Sequence, residues 1–155
     1  MDLLILVIFL FVVALAFAWI EINTEGTQGA GWAEDLPTWR ITHPWVVAIW
    51  SGRPLTGYHL AIMVFMFLMV HFPFALGMSW NWVLEMRALG FYILFWVLED
   101  WLWFVINPAY GLRRFKKELI WWHAPRWWKG APLDYWIFTP LGIILLLSSY
   151  FIGEL

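Results

Sequence analysis

Residues 3–20 read LLILVIFLFVVALAFAWI, eighteen positions without a charge. At a rise of about 1.5 Å per residue such a helix is about 27 Å long, close to the hydrocarbon thickness of a bilayer. A cleaved secretory signal is the competing reading, because Ala16 and Ala18 resemble a small-residue cleavage pattern. The residues before the apolar run, however, offer Asp2 and no lysine or arginine, so the segment is expected to be retained as a membrane span.

The rest of the chain agrees with that solvent. Of 155 residues, 63% are hydrophobic and 13% charged, with a mean hydropathy of +0.73. Ordinary soluble domains carry about 25% charge, so the apolar surplus must face lipid or other embedded chains. Three further apolar stretches, about 58–78, 88–106 and 135–152, complete the expected set of spans. The expected fold is an all-α integral membrane protein, a four-transmembrane-helix bundle with Trp-rich interfacial loops at about 21–57 and 107–134, forming a single membrane domain over 1–155. Pro73 and Gly77 are expected to bend or loosen the end of the second span, and Pro140 and Gly142 lie in the fourth. The two halves differ too much in loop length and polar content for an inverted-repeat transporter.

Charge fixes an expected orientation. Arg40, Arg53, Arg113, Arg114, Lys116, Lys117, Arg126 and Lys129 fall in the two long loops, and Arg87 alone falls on the other side. The positive-inside rule then puts both long loops in the cytoplasm and both termini outside. A net charge of −2 leaves no basic surface for nucleic acid, and the absence of cysteine excludes disulfides, thiolate metal sites and cysteine nucleophiles.

Fifteen tryptophans punctuate the chain. Trp32, Trp39, Trp45, Trp50, Trp80, Trp82, Trp121, Trp122, Trp127 and Trp128 sit where an aromatic belt would meet headgroups. Paired tryptophans beside Arg126 and Lys129 could alternatively grip a lipid headgroup or a quinone ring. Residues 44–50 are too short to span and too apolar for open water, which predicts a short interfacial helix, and 26–31 and 51–57 read as turns.

Glu99 and Asp100 inside the third span are the main chemical clue. Each costs about 2.5–3.5 kcal/mol at mid-bilayer, so an acidic residue there is a functional hypothesis by default. Neighbours on a helix point about 100° apart, so the pair cannot face one partner equally. Asp100, Trp103, Phe104 and Asn107 share one stripe, expected to face the bundle. Antiparallel packing brings His59 to the same level, His123 in the second long loop can fold over the same mouth, and Glu21 and Glu25 follow the first span on that side. The expected site is therefore His59, Glu99, Asp100 and His123 around a divalent metal ion (zinc, iron, copper or manganese), with Glu21, Glu25 and Asn107 as a supporting polar shell. Imidazole with carboxylate is a competent ligand set for those ions. No HExxH or Glu-x-x-His spacing supports it, and ion pairs with Arg113, Arg114 or His59 would equally account for the acids. His71 lies deeper and off the His59 face. Haem ligation there would need a second imidazole from another helix or subunit, so a neutral histidine bonded to a neighbouring helix is the expectation, and His43 reads as surface.

Three classes of function follow. The first is a membrane protein whose His/carboxylate site acts on a lipid-soluble or small substrate. The second is a non-catalytic accessory or assembly subunit of a larger membrane complex, and the third is an oligomeric channel or carrier. Membrane lipids are the expected partners in all three, with a homo-oligomer or a larger complex as the expected assembly.

Overall fold

The computed structural model describes residues 2–25, 36–50 and 52–153, excepting the side chain of Glu25. The expected turn at 26–31, the expected belt residue Trp32 and the Glu25 side chain lie outside the described residues. Four long helices carry the fold: α1 (Leu3–Glu25), α3 (Gly57–Ala75), α4 (Trp82–Ile106) and α5 (Leu133–Gly153). All four are long and apolar enough to cross a membrane. A short helix, α2 (Pro44–Ile49), forms where a short helix was expected and opens on a proline that needs no N–H partner. Two small antiparallel ladders depart from the all-α expectation. β1 (Arg40–Ile41) pairs with β2 (Leu55–Thr56), and β3 (Trp127–Trp128) pairs with β4 (Ala131–Pro132).

The central element is α4, which packs against α1, α3 and α5. On α1 the residues Leu6, Leu10, Ala14, Ala18 and Glu21 are buried, a spacing of three to four that forms one stripe. The facing stripe on α4 is Phe91, Phe95, Glu99 and Leu102, with Phe17 set edge-on to Phe95 at 5.5 Å. Small residues set the α4–α5 distance. A Cβ on Gly90 would lie 2.8 Å from the Leu146 backbone nitrogen, and one on Gly142 would lie 2.7 Å from Leu94 Cγ.

The third span starts earlier than the hydropathy suggested. Asn81 caps α4 by accepting from the Leu84 N–H at 2.9 Å, so Glu85 and Arg87 belong to the helix rather than to an outer turn. Both charges have partners there. Glu85 accepts from the Trp80 indole at 2.8 Å and meets His71 at 3.1 Å, while Arg87 donates to Ser149 and lies 4.1 Å from the Tyr150 ring centre. His71 thus bonds to a neighbouring helix, as expected. Its Nδ1 faces the Phe67 carbonyl at 2.7 Å and must carry a hydrogen to do so, which leaves a second proton in the contact between Nε2 and the Glu85 carboxyl. The second span ends at Ala75, short of the expected 78, because Gly77 turns the chain at φ +99°.

The 107–132 segment folds onto the end of α4. Trp122 is 1% exposed and stacks on Phe104 at 6.1 Å, with Trp103 edge-on to it and Ile120 fully buried beside it. Trp122 therefore departs from the expected belt: its ring fills the core beneath this segment. Trp121 and Trp128 remain exposed.

Candidate functional site

The ends of α1 and α4 and the beginnings of α3 and α5 meet at one end of the bundle, and the 107–132 segment closes over them. Adjacent acids on α4 point into two different environments there, as the 100° rotation required.

Glu99 lies on the stripe facing α1 and is 3% exposed. Its carboxyl meets that of Glu21, whose Oε1 accepts the Tyr58 hydroxyl at 3.1 Å. Two carboxylates only accept, so a hydrogen bond between these two groups requires that one of them keep a proton.

Asp100 points about 100° around the helix from Glu99, toward α5 and the 107–132 segment. Its Oδ2 accepts the Tyr135 hydroxyl and lies 3.1 Å from His123 Nε2. Arg53 donates to His123 Nδ1 at 3.4 Å and to Asp134 Oδ2 at 3.3 Å, and Arg126 approaches Asp134 at 3.8 Å. These partners select the neutral His123 tautomer with hydrogen on Nε2, which donates to Asp100. Two arginines thus oppose two aspartates. Burial pulls the Arg53 guanidinium below its ordinary value, and Asp100 and Asp134 pull it back up.

The expected four-residue site is therefore divided. Asp100 and His123 are in direct contact, and His59 borders the same cavity. Glu99 turns to Glu21, and the His59 Nδ1 bonds to Thr56 Oγ1 at 2.6 Å within the cap of α3. Asn107 is buried but serves the chain turn after α4, where its Oδ1 accepts from the Ala109 N–H at 2.9 Å. Among the described residues, no group of three or more histidine, aspartate or glutamate side chains is arranged to hold a metal ion. Arg113 and Arg114 stay exposed, and the buried guanidinium at this end, Arg53, pairs with Asp134.

A cavity of about 390 Å³ opens beside Asp100, walled by α3, α4, α5 and by Ile49, Trp50 and Arg53. Arg53, His59, Asp100, His123, Asp134 and Tyr135 line its polar end. The remaining wall is apolar and aromatic and continues along α4 to Tyr92, two turns and about 12 Å from Asp100. Tyr135, Asp134, Arg53 and Tyr58 were absent from the sequence expectation. Tyr135 and Asp134 sit at the start of a span, at the depth of the acids, which was the one signal available for them.

No protein-family model, curated protein or solved structure matches the chain.

Proposed function

We propose that the chain is a multi-pass membrane protein, long loops in the cytoplasm and both termini outside, that holds a lipid-soluble molecule in the cleft between α3, α4 and α5. The head of that molecule meets Asp100, His123 and Tyr135, and its apolar body runs along Ile62, Met63 and Ile93. The observation that carries this reading is the polarity of the cavity: apolar over most of its wall, with its acidic and basic side chains gathered at one end. A lipophilic ligand gains from burying its body and needs only a few placed polar groups for orientation. Acid–base chemistry at the head would use the same groups, with Asp100 as the proton acceptor and the Nε2–H of His123 holding it in place.

Ile62→Trp fills the cleft without touching the charged groups. Organic extracts of the purified protein and of this variant, compared by mass spectrometry, should differ by one lipophilic compound retained by the parent alone. Identical extracts, with no compound held in proportion to protein, would overturn the reading.

A second reading, an accessory subunit or homo-oligomer, draws support from α3, on which Met66 is the one buried residue. Its test is the mass of the particle released from native membranes by mild detergent. A lone 18.4 kDa chain would exclude it.

A further inference from the structure

The polar end of the cleft restricts the head group it can take. Asp134 is engaged by Arg53 at 3.3 Å and Arg126 at 3.8 Å, and Asp100 is engaged by Tyr135 and His123. With two arginines set against two aspartates, an anionic head would face Asp100 and Asp134, and a cationic head would face Arg53. Either charge enters against a like charge in a poorly hydrated site, which argues for a neutral head.

Asp100 also has capacity to spare. A carboxylate offers about four acceptor positions and donates nothing, and two donors already occupy Asp100. Its side chain nevertheless remains 34% exposed, and it lines the cavity. A third donor, a hydroxyl on the head, completes it. The surroundings of that hydroxyl are rings. Trp96 stands one turn before Asp100 on α4, Phe138 one turn after Asp134 on α5, and Trp50 beside the Arg53 corner, all lining the cavity. Aromatic walls favour a flat partner packed offset or edge-on.

Resting on the lipid-soluble ligand reading above, we infer that the cleft takes a neutral aromatic alcohol, a phenol or hydroquinone with an apolar tail, whose hydroxyl donates to Asp100. The ring lies among Trp50, Trp96 and Phe138, and the tail follows Ile93 and Met63.

The test uses the full chain in detergent micelles, with equilibrium dialysis against protein-free micelles to remove partitioning. The probes are 4-nonylphenol, its methyl ether 4-nonylanisole, dodecanoate and dodecyltrimethylammonium. The phenol is expected to bind at least about tenfold more tightly than the ether, because the ether lacks the donor to a charged acceptor. Both ions are expected to bind more weakly than the phenol. Asp100→Asn should bring phenol and ether to within about threefold of each other, the signature of losing one charge-assisted bond. Equal binding of phenol and ether, or preference for either ion, with all binding lost in Ile62→Trp, would overturn the phenol assignment and leave the cleft reading standing. No binding of any probe above the micelle reference would overturn both. Should Asp100→Asn fail to fold, the parent's phenol-to-ether ratio decides the matter alone.

Discussion

Glu99 and Asp100 show how one residue of rotation gives two carboxyl groups different physics. Glu99 continues the stripe of Phe91 and Phe95 toward α1, where Glu21 and Tyr58 receive it. If that pair shares one proton, an amide can replace either member at little cost, because it supplies the same donor without a charge. Glu99→Gln and Glu21→Gln should each stay within about 1 kcal/mol of the parent in reversible detergent unfolding, since the carboxylate that remains keeps its hydrogen-bond donor. A loss near 3 kcal/mol from either would mean that both acids are ionised and held by other means. Arg53 is the opposite case, with its side chain 12% exposed against Asp134. Arg53→Met removes the guanidinium from Asp134 and His123 and should cost about 3 kcal/mol, the scale of breaking a buried pair. The double variant Arg53→Met with Asp134→Leu should recover part of that loss. The sequence marked Asp100 and His123 as partners through depth alone. It could not mark Arg53, which is 81 positions from Asp134 and in a loop whose path nothing local determines.

At the scale of elements, hydropathy located all four long helices but misplaced ends where charge was mistaken for water. Residues 82–87 include Glu85 and Arg87, and a hydropathy reading sends them to a loop. In the folded chain His71, Trp80, Ser149 and the Tyr150 ring accommodate them, so the helix continues. These partners come from α3, α5 and the connection before α4, so they are visible only after packing. Gly90 and Gly142 carry a similar message, because in membranes helices gain from close approach at small residues. The Cβ of Gly90→Ala would meet the Leu146 backbone at 2.8 Å, and backbone in a helix cannot move aside without separating α4 from α5. The expected cost is about 1–3 kcal/mol, the range for overpacking a filled contact. It can be measured as a shift in the sodium dodecyl sulfate fraction needed for half unfolding. Gly77→Ala is the control: nothing lies within 4 Å of its Cβ, and its φ of +99° confines the penalty to local backbone strain. An equal or smaller effect at Gly90 would show that α4 and α5 do not rely on this close contact.

The orientation of the whole molecule rests on the distribution of eight basic residues against one, and one pair of positions tests both the sign and the number of crossings. Ser79, in the connection before α4, and Lys117, in the segment after it, are both exposed. Because the chain has no cysteine, Ser79→Cys and Lys117→Cys each introduce a single thiol with no background to remove. α4 is the one long helix between the two positions, so if it crosses the bilayer it must place them on opposite sides. With the basic segment inside, a membrane-impermeant maleimide should label Ser79→Cys in intact cells and Lys117→Cys only after lysis. The reversed pattern would invert the orientation yet keep the four-helix bundle and its cleft, since neither depends on which leaflet is which. Labelling of both from one side would be more serious. It would mean that α4, the helix against which the other three pack, does not cross the bilayer, and the apolar wall of the cleft would then have no claim to a lipid-soluble occupant.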